Sequence, residues 1–511
     1  MEKKKSKKFL FILIIPGLFF INLLICTGLY FFEPIHYNAP DLKDMSYSFD
    51  LYKKYNDTKS DFYIKQITDK DVVSSESDIR LKYIDNTILI SYTDDADIDD
   101  IRNELSPYNG TVCGYIKVAN FIQAEFPDSD YSTLMNICSE LNKSDLINSA
   151  IIDYFEESTT SETYTDSDYD IDFIYKDIIN YPTELSAYKI DPTSVTVGVF
   201  DVLIDSTNKY LNVINNDAYD VNSLNNSQIV NFCSHGTHVA GILCADSDSK
   251  APSICPGAKI ISENAMNNSI SYWIAAITDM IINKNVKVIN MSVGYNTFIV
   301  LSATLGCENS IDFINYERDF FNNILGEIID DGYEFIICTA AGNDSHSSVN
   351  KIHNGYFSYG EKKILDKFDI FNIFTKNVKY CNSLYSLPID AITDEEVRSR
   401  IIVVGACDNN KNFAYYSSLH ERVDIIAPGN NIYSLNYEPY EEIQLEYIAS
   451  SGTSMATPFV SGTAALLFAA NPDISGNEVK DIIISSATET VSNSEFRYPL
   501  LNVTNALEMV K

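Results

Sequence analysis

The chain has 511 residues and a formal charge of −34 at pH 7, from 71 acidic and 37 basic side chains. That charge repels phosphate backbones and excludes nucleic acid as a partner, while it suits a protein that stays soluble outside the cell. An apolar share of 45% is enough for a large core, and the length calls for two or three domains.

The chain opens on the basic run MEKKKSKK, followed from Phe9 to Phe32 by residues without a charge. That is long enough to span a bilayer, and the lysines before it are retained in the cytoplasm, so all that follows Glu33 lies outside. Residues 1–33 read as a signal anchor, with a cleaved signal peptide as the other reading. Cys26 follows Ile25, which is not the small residue a lipidation signal needs. The expected location is the extracellular face of a bacterial membrane, or the medium after processing. Residues 34–84 are polar and tyrosine-rich, without period, and read as a spacer.

The pattern sharpens from residue 85. TILISY reads as a strand, DIDDIRNEL as a short helix, and TVCGYIKVANFIQAEF as two strands joined near Lys117 to Asn120. YSTLMNICSEL is a helix with Leu134, Ile137, Cys138 and Leu141 on one face, and SAIIDYF a final strand. The order β-α-β-β-α-β predicts a ferredoxin-like α+β domain over 85–156. Residues 157–172 are acidic and rich in Ser and Thr, which predicts an exposed linker between domains.

From 173 to 511, apolar β-branched runs alternate with helical patterns. VTVGVF, VKVINMSV, EFIICTA, IIVVGAC and VDIIAPG are unbroken apolar strands, as in a parallel sheet covered by helices on both faces. Nine of the ten cysteines lie beyond Cys26, with no CxxC pair. Cys338 and Cys407 sit within strand runs and read as small buried apolar residues. The active edge of such a sheet is the carboxyl end of its strands. Asp201 ends the first run, Ser292, Val293 and Gly294 follow the second, and Asn343 follows the third. HGTHVAGILCA reads as a helix beginning at His235. GTSMATP puts Ser454 at the start of a long apolar helix, with Gly452 for a sharp turn before it and Pro458 early in it.

Each of these residues has a plain structural reading on its own. Ser454 caps a helix, Asp201 turns a chain, and Asn343 sits in a loop. The pair His235 and His238 shares a helical face, but no glutamate lies between them and no further His or Cys cluster is near, so no metal site is expected. Together they fit nucleophilic catalysis. A serine hydroxyl needs a base, a histidine supplies it, a carboxylate orients the histidine, and an amide donor meets the oxyanion.

HGTHVAG, GTSMATP, VINMSVG and TAAGN resemble the motifs of the subtilisin-like serine peptidases, the subtilase family. The resemblance covers about Asp170 to the C-terminus, and the preceding domain resembles their inhibitory propeptide. Val202 and Leu203 depart from the family's usual residues after the acid. The resemblance implies a subtilisin-like α/β fold and an endopeptidase with Ser454 as nucleophile, His235 as general base and acid, and Asp201 as orienting carboxylate. It implies an oxyanion site at Asn343 and the Ser454 N–H. His238 is then a packed helix residue. Ser292, Val293 and Gly294 would form one wall of the substrate pocket, and Ala340, Ala341, Gly342 and Asn343 the other. Peptide or protein substrates are implied, with the chain's own propeptide as intramolecular inhibitor and the membrane met through the N-terminal segment. No cofactor is required. Structural calcium is left open, since ADSDSKAPSI lacks the family's Asn-rich loop. Residues 344–453 and the segment after the pocket motif carry more length than the minimal fold needs, and loops beside a cleft restrict substrates.

Overall fold

The structure, a computed structural model, describes residues 56–57, 62–65, 67, 69–75, 82–156, 158–159, 163–165, 174–215, 226–251, 253–265, 268–295, 299–300, 307–343, 357–359, 380–383, 387–437 and 446–510. The apolar segment at 9–32, most of the 157–172 linker and most of the inserted length at 344–386 lie outside them.

The N-terminal layer is one sheet. Its strands are β1 (Asn56–Asp57), β2 (Phe62–Tyr63), β3 (Val72–Ser74) and β4 (Lys82–Tyr92), then, after helix α1 (Ile98–Leu105), β5 (Thr111–Ile116) and β6 (Phe121–Glu125), and, after helix α2 (Tyr131–Leu141), β7 (Ile147–Glu156). The β-α-β-β-α-β order runs from β4 to β7 as the pattern predicts. Asp97 starts α1 with a capping box, and Asp130 caps α2, which turns Leu134, Ile137, Cys138 and Leu141 inward. The sheet order is β1-β2-β5-β6-β4-β7, with β3 beside β4. Strands β1, β2 and β3 come from the region that reads as spacer. They are two or three residues long, too short to show a period, yet Phe62, Ile64 and Ile67 are buried.

Two short strands follow, β8 (Ser158–Thr159) and β9 (Thr163–Thr165). The second layer begins with β10 (Thr196–Asp201), β11 (Asn212–Asn215), helix α3 (Asn226–Cys244), β12 (Lys259–Asn264), β13 (Asn268–Ser269) and helix α4 (Ile270–Thr278). It continues with β14 (Val288–Met291), β15 (Gly294–Tyr295), helix α5 (Cys307–Asp330), β16 (Ile336–Ala340), β17 (Ile401–Cys407), β18 (Ile425–Pro428), β19 (Ile432–Leu435), β20 (Tyr447–Ser451) and helix α6 (Thr453–Ala470). The main sheet has the order β11-β12-β10-β14-β16-β17-β18, with every pairing parallel. The five apolar runs supply β10, β14, β16, β17 and β18. Strands β11 and β12 carry polar residues and escape the pattern.

Helix α4 is buried on every side. Trp273 meets Phe200 of β10 edge to face at 4.9 Å, while Ser271 on the other side receives Asp153 of β7. A helix apolar all round belongs between two layers. Helix α5 joins it there, with Phe320 edge to face against Phe121 of β6. The N-terminal sheet therefore rests on α4 and α5, which cover one face of the parallel sheet, and β7 extends by pairing with β13. Helix α6 crosses β14, β16, β17 and β18 and packs against α3. It is long and apolar enough to cross a membrane, but it is 89% buried, as a core helix is. Cys338 and Cys407 are buried, and Cys113, Cys138, Cys244, Cys255, Cys338 and Cys407 are free thiols.

Candidate active site

Asp201 closes β10 at the carboxyl end of the parallel sheet. Its Oδ1 stands 2.5 Å from Nδ1 of His235, with both side chains buried, and accepts the Val202 N–H at 2.7 Å. A neutral ring that donates from Nδ1 to a carboxylate keeps Nε2 as its basic nitrogen. Helix α3 begins nine residues before His235, so the histidine lies inside the helix rather than at its start. The upstream residues, NSQIVNFCS, mix polar and apolar side chains and carry no clear helix-start signal. Gly236 explains the approach. A Cβ there would lie 2.4 Å from the Val202 carbonyl oxygen and 2.7 Å from that of Leu203, so only glycine brings the helix onto the segment after Asp201. Thr237 Oγ1 accepts the Asp205 N–H at 2.8 Å and fixes the far end of that segment. Val202 and Leu203 are buried there, and the Asp201–His235 pair forms beside them.

His238 is a packed residue, as the motif implies. Its Nε2 faces the carbonyl oxygens of Ile432 and Ile448, at 3.1 and 3.3 Å, and thereby ties α3 to β19 and β20.

Ser454 is the second residue of α6. Its Oγ donates to the Ser292 carbonyl at 3.2 Å, and Ser292 Oγ donates to the Ser454 carbonyl at 2.9 Å. The second bond has a cause in the sequence. Pro458 lies inside the helix, not at its first position, and a proline four residues on has no N–H to give the Ser454 carbonyl. Ser292 gives its hydroxyl instead. Asn290 Nδ2 donates to Ser292 Oγ at 2.9 Å, and Ser461 Oγ to Asn290 Oδ1 at 2.8 Å.

Asn343 Oδ1 accepts from the Thr453 N–H at 2.9 Å and from Thr453 Oγ1 at 3.0 Å. Its Nδ2 therefore points the other way, to 3.3 Å from where a Cβ on Gly452 would stand. Gly452 is extended, at φ 170°. The chain bends here between β20 and α6 without a glycine-only φ, and a side chain would crowd the Asn343 amide. Gly342 has φ +99°, its N–H reaches Thr453 Oγ1 at 3.2 Å, and its carbonyl accepts the Ser418 N–H at 2.8 Å. Ala340 and Ala341 are buried at the end of β16, and Val293 is buried between β14 and β15.

Thr453, Thr237 and Asn290 support the site without having been singled out in the sequence. Thr453 and Thr237 lie within GTSMATP and HGTHVAG, which was the available signal. Asn290 lies within VINMSVG in the same way. Among the described residues, no three His, Cys, Asp or Glu side chains gather as a metal-binding group.

Two backbone pairings cross this region. Ser158–Thr159 pairs antiparallel with Tyr295 and Gly294, and Thr163–Thr165 pairs antiparallel with Ser451 to Ala449. An arrangement with a carboxylate-bound imidazole, a serine at a helix start and an asparagine amide, flanked by strand-accepting edges, has the parts for acyl transfer to serine from an extended peptide.

The chain is a serine-type endopeptidase. It belongs to the subtilase family, which it matches over residues 67–498. It is 26% identical to subtilisin DY of Bacillus licheniformis over 320 residues, 62% of this chain and 91% of that protein. Its fold is similar to that of fervidolysin from Fervidobacterium pennivorans, a keratinolytic enzyme, at 18% identity and a TM-score of 0.54, over 89% of this chain and 65% of that one. It is also similar to the epidermin leader peptide processing serine protease of Staphylococcus aureus, at 18% identity and a TM-score of 0.53, over 83% and 98% of the two chains. Its substrates are peptides or proteins. Subtilases need no cofactor for catalysis, and many bind calcium.

Proposed function

We propose that the chain is an exported endopeptidase made as a zymogen, with Ser454 as nucleophile, His235 as base and then acid, and Asp201 as its orienting group. The carrying observation is the buried Asp201–His235 contact at 2.5 Å, at the same sheet edge as Ser454 and Asn343. Rotation about χ1 moves the Ser454 hydroxyl from the Ser292 carbonyl toward the imidazole, which takes its proton as Oγ attacks. Asn343 Nδ2 and the Ser454 N–H receive the oxyanion, and His235 then protonates the leaving amine. Ser292 to Gly294 and Ala340 to Gly342 wall the substrate pocket.

Residues 85–156 act in this reading as the propeptide domain. Support comes from its seat on α4 and α5 and from β8 and β9, which add to the two edges on either side of Ser454. Self-cleavage then falls between Thr159 and Thr163. It separates the peptidase from the segment at 1–33, which holds the precursor in the membrane. The experiment is the intact mass of the full chain in detergent beside its Ser454→Ala form. Wild type loses its N-terminal part at a bond between 159 and 163, and the variant stays whole. If both stay whole and a fluorophosphonate leaves Ser454 unlabelled, the fold serves as a binding module instead.

A narrower reading is a dedicated maturation protease that removes leader segments from secreted peptides. The length of residues 344–453, far beyond what joins Asn343 to Ser454 in a minimal fold, favours it. Such an enzyme ignores unfolded casein, whereas a broad protease degrades it.

A further inference from the structure

The contact between the N-terminal sheet and helices α4 and α5 holds, beside its apolar packing, carboxyl groups of like sign. Asn120 Nδ2 donates to Asp94 Oδ1 and to Glu327 Oε2, both at 2.8 Å. Asp94 follows β4 and Glu327 lies in α5, so one amide joins two carboxyls from opposite sides. Burial first, then Asp94, then Asp330 and Asp331 push Glu327 up to about 7. Beside them, Tyr92 is pushed up to about 12 by burial, Glu327 and Asp97. Lys117, in the turn between β5 and β6 that packs on α5, brings a basic residue to this contact.

The second contact is Asp153. It is wholly buried and accepts from the Ser271 N–H at 3.1 Å, Ser271 Oγ at 2.7 Å and Gln123 Nε2 at 3.4 Å. Ser269, the cap of α4, donates to or accepts from Ser271 Oγ at 2.8 Å. These partners are neutral. The charged groups beyond them are the Lys65–Glu125 pair, which reaches Gln123 through the Lys65 N–H, and Cys113 faces the same pair. The start of α4 favours a carboxylate, but burial outweighs it and holds Asp153 at about 7.

We propose that the N-terminal domain is latched to the peptidase by a proton-linked acidic seam, closed in acid and loosened as the medium turns neutral to alkaline. Glu327 holds a proton in the docked state, while the Asn120 amide donates to both its carboxyl and that of Asp94, and Asp153 docks protonated. The consequence for activity rests on the zymogen reading: once the connecting chain is cut, pH decides how long the cleft stays covered. The sign follows from the docked groups holding protons more tightly than free ones, whose ordinary values are 3.8 and 4.5. Docking takes up protons between those values and about 7, so the latch is tightest below the window and is lost as pH rises through it, by up to about tenfold per group per pH unit.

The test leaves catalysis out. The full chain in detergent carries Ser454→Ala and the recognition sequence of a site-specific endopeptidase after Thr165, and is cut there. Retention of the N-terminal fragment is followed by size exclusion on dilution at pH 5.5 and 8.0, and proton uptake on reassociation by calorimetry in buffers of different ionisation enthalpy. The expected result is a fragment held at least tenfold more tightly at pH 5.5, with net proton uptake near pH 6.5. Asp94→Asn with Glu327→Gln removes about half of the difference on a logarithmic scale, and the rest stays with Asp153. Equal or tighter retention at pH 8.0, no proton uptake, or an unchanged pH dependence in the double variant overturns the proposal. Failure of wild type to process itself strikes the zymogen reading and leaves this result standing.

Discussion

Asn343 does two jobs with one amide. Its oxygen takes the Thr453 N–H and hydroxyl, which fixes the plane of the amide and aims its nitrogen past Gly452. Asn343→Leu keeps the size and loses both functions. In the catalytic reading, kcat on a peptide amide falls by about 10²–10³ with KM little changed. A fall in KM-dependent binding alone would place Asn343 outside the transition state. Gly236 is a sharper steric case. Alanine there meets two backbone carbonyl oxygens, which cannot swing aside as side chains do. Gly236→Ala is expected to part the helix from the Asp201 segment and abolish detectable turnover, together with a drop in melting temperature.

At the scale of elements, the start of α6 depends on a strand that is distant in sequence. Pro458 leaves the Ser454 carbonyl without its helical donor, and Ser292 of the β14–β15 connection supplies one. In a Ser454→Ala background, which prevents self-digestion, Ser292→Ala strands a buried acceptor and costs about 1–3 kcal/mol in urea unfolding. Adding Pro458→Ala restores an N–H in the helix, so the same serine substitution then costs less than half as much. Additive losses in that cycle would sever the link between proline and serine. The motif GTSMATP is thus legible as a helix start, but the reason for its proline is not. That reason lies at Ser292, 162 residues before Ser454. The chain does bend at Gly452 between β20 and α6, but its extended φ is open to any residue, and the crowding comes from its neighbour Asn343.

At the scale of the whole molecule, acid acts in opposite directions on two layers. His420 is buried in the loop behind Ala341, with its pKa pushed down to about 4 mainly by burial. Unfolding frees the ring to its ordinary value near 6.5 and lets it take a proton. The peptidase layer therefore loses stability as pH falls from about 6.5 to 4, by up to about 3 kcal/mol. His420→Gln flattens that slope in denaturant unfolding measured across the window. The seam between the layers has the reverse sign, since its carboxyls hold protons when docked. The net charge of −34 works with the seam, because deprotonation adds like charge to both layers.

The sequence by itself determined the alternation of strands and helices, the β-α-β-β-α-β order from β4 to β7, and the residues Asp201, His235, Asn343 and Ser454. Long apolar runs and two dense motifs carry that information locally. It did not yield β11 and β12, whose polar residues mask their place in a buried sheet, nor β1 to β3, which are too short to show a period. Only the tertiary structure decided which donor meets the Ser454 carbonyl, why Gly236 and Gly452 lack side chains, and that Asp153, Asp94 and Glu327 meet between two layers. Each of these rests on contacts between residues far apart in the chain, and a local pattern of hydrophobicity holds no record of such contacts.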